Sequence, residues 1–120
     1  TVAFGTDYPV TPPPDTMQEI CVAMTRSITP GAIGYEKFKG QVLGDEKPAA
    51  LAEAVKALSI NGAFQMFGED YTGSIEEGKS AELVVLDSDL ENTRPEDIYA
   101  IRIDKTIFKG KLVYDAASES

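Results

Sequence analysis

The sequence predicts an α/β chain in which a strand and several helices precede a strand-rich carboxyl-terminal segment. Three observations predict it. Val2 to Thr6 form an apolar opening that ends on Asp7, apolar residues recur at helical spacing between Thr16 and Phe67, and short β-branched runs punctuated by glycine follow Gly68. The change in pattern divides the chain into residues 1–67 and 68–120. With 120 residues, of which 42% are hydrophobic, there is enough chain to bury a core.

Each element has a local reason. Val2 to Thr6 are apolar or small without strict alternation, which suits a strand covered on both faces. After Asp7, the run Tyr8-Pro9-Val10-Thr11-Pro12-Pro13-Pro14 cannot continue a ladder, because proline has no N–H to donate. Thr16-Met17-Gln18-Glu19 matches a capping box, and Met17, Ile20, Cys21, Met24 and Ile28 then line one helical face until Thr29-Pro30-Gly31 stops it. Gly31 to Glu46 reads as an irregular connection. Pro48 suits the first turn of a second helix with Leu51, Val55 and Leu58 on one face, and Asn61 is placed to cap a shorter one reaching Phe67. These helices are expected to pack on the opening strand, a unit cut from a larger α/β structure.

Past Gly68, Gly73 and Gly78 mark two turns, and Leu83-Val84-Val85-Leu86 carries the β-branched enrichment of a strand. Arg94 to Ile98 reads as one helical turn. Ile101 and Ile103 alternate with Arg102 and Asp104, and Lys109-Gly110 is flanked by Thr106-Ile107-Phe108 and Lys111-Leu112-Val113-Tyr114 as a tight hairpin. Ala116 to Ser120 is expected to fray.

Composition restricts the function. Neutralising phosphates requires a basic surface, and a net charge of -9, with 11 basic against 20 acidic residues, argues against nucleic acid. No apolar run is long enough to span a bilayer, and no basic, apolar leader opens the chain, so no membrane is expected as a partner. The compartment is left open. Cys21 is the single cysteine, excludes an internal disulfide, and falls on an apolar helical stripe as a buried structural thiol would. There is no histidine, so the chain carries at most one member of a metal site of the usual kind. On the residues alone, Asp7 reads as a turn-forming carboxylate at a strand exit. Asp87 and Asp89 form too thin a pattern for a cation site, and they read as a solvated strand end, as do Glu76, Glu77, Glu96 and Asp97.

Four stretches, taken in order, resemble the amidohydrolase superfamily, in its amidohydrolase-3-like branch. They are Gly5-Thr6-Asp7-Tyr8-Pro9-Val10, Ala57 through Ala63, the run from Gly73-Ser74-Ile75 through Gly78-Lys79 to Ala81-Glu82-Leu83-Val84-Val85-Leu86-Asp87, and Thr106 through Tyr114. The third is the most specific, because its length and order leave few chance matches; Glu82 stands in it where relatives carry aspartate. Ser59 stands where relatives often carry threonine and reads as a helix-turn cap.

The resemblance implies a particular fold and site. Residues 1–67 would be the last strand of a (β/α)8 barrel with its following helices, and residues 68–120 would be carboxyl-terminal strands of a composite β-sandwich. It implies a metal-dependent hydrolase acting on C–N bonds of amide-like small molecules, with zinc or a similar divalent metal in the parent enzyme and none expected in this chain alone. Asp7 is the one position that carries over, as metal ligand and as catalytic acid and base. The remaining ligands would lie before Thr1, so the chain alone is expected to be inactive. Tyr8 and Thr6 flank Asp7 with packing or supporting roles. The other reading is a non-catalytic, stand-alone interaction or subunit-contact module derived from an amidohydrolase. In either case missing barrel and sandwich neighbours would leave strand edges open, and a homo-oligomer is expected.

Overall fold

The computed structural model describes residues 1–10 and 14–118, in which four helices are followed by a three-stranded antiparallel sheet. Helix α1 spans Thr16–Thr25, and its cap is Asp15 rather than Thr16. The Asp15 carboxylate accepts the N–H groups of Met17 at 3.1 Å and Gln18 at 3.2 Å, and the Gln18 amide donates back to Asp15 at 3.1 Å. The helix cap therefore sits one residue earlier than the sequence suggested, and it is a side-chain cap by Asp15 without the reciprocal backbone bond of a capping box. A carboxylate offers two acceptor oxygens where threonine offers one hydroxyl, and its charge suits the positive end of the helix dipole.

The helix also ends sooner than its apolar spacing implied, at Thr25 instead of near Ile28. Thr25 Oγ1 donates to the Cys21 carbonyl at 2.8 Å and accepts the Ser27 N–H at 3.2 Å. Arg26 adopts a left-handed conformation, φ 56°, and donates its N–H to the Val22 carbonyl. These local bonds satisfy the last carbonyls and turn the chain away before Pro30 is reached. The connection that follows contains one helical turn, α2, Tyr35–Phe38, and is otherwise irregular as expected. Arg26 secures it by an ion pair to Glu46 at 2.7 Å and a bond to the Glu46 carbonyl at 3.0 Å.

Helix α3, Leu51–Leu58, begins beyond Pro48, with Ala50 at its cap and the Glu53 carboxylate accepting the Ala50 N–H at 2.8 Å. Its buried face is Ala54 and Ala57, whose small side chains let α3 approach α1, while Leu51 and Leu58 are half-buried and Val55 is exposed. Helix α4, Ile60–Gln65, stops short of Phe67. Asn61 does not cap it; its side chain donates to the Val2 carbonyl at 2.8 Å. Ser59 sits at the junction of the two helices and donates to the Val55 carbonyl at 2.7 Å, so it closes α3.

Val2 to Thr6 do not form a strand. Strand geometry is fixed by a ladder, and here the Phe4 N–H bonds to the Ala57 carbonyl of a helix, 3.1 Å, while the Val2 carbonyl accepts from the Asn61 side chain. It lies against helices, with Phe4 packed on the core.

Strand β1, Leu83–Leu86, pairs with β2, Ile103–Phe108, which pairs with β3, Lys111–Asp115. The β2–β3 turn has both central residues at positive φ, Lys109 at 48° and Gly110 at 74°, as a two-residue hairpin with strand-matched twist requires. Ile101 lies just before β2 and is buried. A 3₁₀ helix, Pro95–Ala100, replaces the single turn expected there, and Ala116–Ser118 form a short 3₁₀ turn held by Asp115 rather than a frayed end. Residues 119 and 120 of the expected tail, and Thr11 to Pro13 of the proline loop, lie outside the described residues. The core joins Met17, Ile20 and Cys21 of α1 to Ala54 of α3 and to Ile98 and Ile101, so both halves of the chain contribute to it. No helix among the described residues is long and apolar enough to cross a membrane.

Gly73 is where the second half passes closest to the helices. Its φ is +87°, and a Cβ there would lie 2.6 Å from the Ala63 Cβ and 3.0 Å from the Ile60 Cα. Gly78, φ +91°, has open space in the same position. Gly78→Ala is therefore expected to destabilise by roughly 1–2 kcal/mol through backbone conformation alone. Gly73→Ala should cost a further 1–3 kcal/mol or so from overpacking. Urea midpoints of the two variants measure the difference, and equal midpoints would refute the close approach.

Candidate functional site

Asp7 ends the opening segment in an exposed turn, with φ 55°, a left-handed conformation that a short acidic side chain tolerates. The turn is closed by main chain, since the Val10 N–H donates to the Asp7 carbonyl at 2.9 Å. Tyr8 is exposed and its N–H donates to Thr6 Oγ1 at 3.4 Å. None of the described hydrogen bonds or ion pairs engages the Asp7 carboxylate, so it is not the backbone-capping group that a lone aspartate at a loop start often is. The segment leading to it is held at Val2 and Phe4.

A divalent ion needs several ligands converging on one point. The described residues contain no group of three or more His, Cys, Asp or Glu side chains that could hold one. Asp7 by itself does not fit a metal.

The remaining acids belong to structure. Asp87 accepts the Arg102 N–H at 3.1 Å while its own N–H donates to the Arg102 carbonyl at 3.0 Å, and the Arg102 bond leads in holding its carboxyl below the usual range. Asp89 is held low chiefly by the Asn92 side chain, 2.7 Å away, and caps the turn at Glu91 and Asn92. Glu96 and Asp97 both pair with Arg94. Lys79, largely buried, donates to Ser74 at 2.6 Å and to Glu76 at 3.1 Å, and the Ser74 hydroxyl is the main cause of a lowered Glu76 carboxyl. Glu82 accepts from Thr72 at 2.6 Å and Ser80 at 3.3 Å, so its longer side chain retains a local bond at the position. Cys21 is 3% exposed and burial pushes its thiol up, which makes it inert.

Two residues have structural roles that the sequence did not show. Arg26 is the clamp described above, and no local signal pointed to its bond with Glu46. Glu19 was read as half of a capping box. Instead it faces a cleft shared by α1 and the opening segment, and its Oε1 is buried without a hydrogen-bond partner among the described residues. Burial first, and the neighbouring Asp15 charge second, raise its carboxyl above the ordinary value.

A family model described as "Amidohydrolase family" matches residues 1–114. An imidazolonepropionase of Picrophilus torridus is 50% identical over 40 residues, which make up 33% of this chain and 10% of that protein. The matched region is thus a small part of that relative. No solved structure matches the chain.

Glu19 gives a signed pH prediction. Its folded-state pKa is raised above the ordinary value of 4.5, so the stability it contributes is fully present below that value and is lost as pH rises through the raised one. Glu19→Gln removes the disfavoured charge and should make the chain more stable at pH 7. The gain should vanish below pH 4.5, where Glu19 is protonated whether folded or not. Urea titrations of both proteins at the two pH values check the sign; a variant less stable at pH 7 would contradict it.

Proposed function

The chain belongs to the amidohydrolase family, and we propose that it is the carboxyl-terminal part of a metal-dependent hydrolase that cleaves C–N bonds, other than peptide bonds, in amide-like small molecules. The observation that carries this reading is the family match over residues 1–114, which begins on the segment leading to Asp7. The uncommitted carboxylate of Asp7 supports it further.

Members of the family typically use a divalent metal in the complete enzyme. The described residues of this chain do not assemble a site for one, so no step is routed through a metal here. What the chain offers is a proton carrier. In this reading Asp7 accepts the proton of an attacking water as general base and returns it to the departing nitrogen as general acid. Its carboxylate is exposed, and none of the hydrogen bonds or ion pairs among the described residues engages it, which leaves it open to a water or a departing nitrogen. Thr6 and Tyr8 frame the turn that carries it.

Two measurements test the proposal. The isolated chain should show no hydrolysis of N-acyl amino acids or cyclic amides with added zinc or manganese; turnover abolished by chelator and absent from a mock purification would defeat this reading. In the complete enzyme, Asp7→Asn should keep the fold and lower the rate by ~10²-fold or more, as expected for loss of a general acid and base. An unchanged rate would return Asp7 to an ordinary turn residue.

Assembly of the isolated chain belongs to the same proposal. Strands β1 and β3 are both sheet edges, and Val84 and Val85 on the first and Leu112 and Val113 on the second are exposed. Open edges with apolar side chains pair with another copy. A homo-oligomer formed through the sheet, burying more than ~1,000 Å², is expected. Light scattering that finds a stable monomer at micromolar concentration would sink it.

A further inference from the structure

We infer that Asn61-Gly62 is a self-modification site, at which the Gly62 main-chain nitrogen converts the Asn61 side-chain amide to aspartate or isoaspartate and so releases the opening segment from α4.

The chain has two asparagines, Asn61 and Asn92, and only Asn61 is followed by glycine. Glycine sets no Cβ beside the attacking nitrogen, and a Cβ built at Gly62 would meet nothing within 4 Å, so no neighbour obstructs the approach. Gly62 is the third residue of α4, where a helix gives an N–H no partner of its own, and it is the Ala63 N–H that bonds to the Ser59 carbonyl, 3.0 Å. The reaction also requires Asn61 to leave helical geometry. Helix α4 resists this weakly, since it has six residues, an interior glycine and no side-chain cap. Its first turn can open while the core stays closed.

The step balances with water alone. The Gly62 nitrogen bonds to Asn61 Cγ, the Cγ–Nδ2 bond breaks, and the Gly62 proton leaves with Nδ2 as ammonia. Water then opens the cyclic imide at either carbonyl and gives aspartate or its main-chain isomer, with nothing oxidised or reduced.

The present bond of the amide fixes the consequence. Asn61 Nδ2 donates to the Val2 carbonyl at 2.8 Å, next to the attachment of the Phe4 N–H to Ala57. A carboxylate has no proton to give and sets an anionic oxygen against that carbonyl. Isoaspartate also adds a carbon to the main chain inside α4. Either product lets go of Val2, on the segment that carries Asp7, and neither step depends on the hydrolase reading.

The test holds the 120-residue chain at mildly alkaline pH and follows both asparagines by peptide mass spectrometry, with an isoaspartate methyltransferase as the probe of the isomer. Asn61 should convert while Asn92 stays intact, because the β-branched Thr93 crowds the same attack. Gly62→Ala fits the open space and strengthens the helix, and should slow conversion by about fivefold or more. Ile98→Val weakens a core that α4 does not enter, and should leave the rate unchanged. For the release, Asn61→Asp should speed hydrogen exchange of the Phe4 amide by about fivefold at neutral pH, and by less below pH ~3.9, where the carboxyl regains a proton to donate. An acid in the first turn favours a helix, so faster exchange reports the lost bond to Val2 and not a lost α4. Conversion that is absent from the folded chain, equal in Gly62→Ala, or raised in step with the global destabilisation of Ile98→Val would overturn the site. An unchanged Phe4 amide in Asn61→Asp would overturn the release.

Discussion

The insertion of Ile98 between the helices is the constraint on which the rest of the structure depends. It is fully buried, carried on the 3₁₀ helix from Pro95, and packs with Met17, Ile20 and Cys21 of α1 and Ala54 of α3. Pro95 sets the first residue of that turn without a lost donor, and Arg94 reaches over it to Glu96 and Asp97. A three-stranded sheet with both edges open and apolar residues exposed has little independent stability. Ile98, with Ile101 beside it, is what attaches the sheet to the helical layer. A substitution that emptied this position would therefore loosen two layers at once, a larger consequence than its own buried area implies.

The stretch that most resembles the family serves the same attachment. Gly73 lets the chain pass against α4, Glu82 gathers Thr72 and Ser80, and Asp87 exchanges bonds with the main chain of Arg102 on the way into β2. Each of these is a contact between segments distant in sequence or at the ends of a turn, and each needs a particular residue type. Specificity of sequence here reflects geometry rather than chemistry on a substrate. That is why the most recognisable run of the chain contains no candidate catalytic group.

Local signals were legible wherever the bond partners were also local. The Lys109-Gly110 hairpin, the Leu83–Leu86 strand and the turn after Arg94 were all readable, because strand propensity, positive φ and proline placement are properties of a few adjacent residues. Resolution failed at the next level. Asp15 and Thr16 are both good caps, and neighbouring side-chain bonds at Thr25 ended a helix whose apolar spacing ran on to Ile28. Asn61 reads as a cap until Val2 is seen beside it, and Glu19 reads as a cap until its cleft is seen. These depend on tertiary partners that periodicity does not encode. For the candidate site, sequence pointed to Asp7, and the structure adds the turn geometry and the unbonded carboxylate without supplying companions.

Val2 to Thr6 carry the pattern of a strand buried on both faces, yet they make one backbone bond to a helix and no ladder among the described residues. The pattern and the environment disagree, and the disagreement is of one kind with the others on this side of the molecule. An apolar cleft lies open beside the segment, and a Glu19 carboxylate oxygen is buried there without a donor among the described residues. Natural sequences are locally consistent with their folded surroundings, and clustered inconsistencies mark where surroundings are incomplete. A catalytic carboxylate needs its position held within about half an ångström, and such precision comes from packing on every side. The fold in hand supports the segment that carries Asp7 through Phe4, whose N–H bonds to Ala57, and through Asn61, which bonds to Val2.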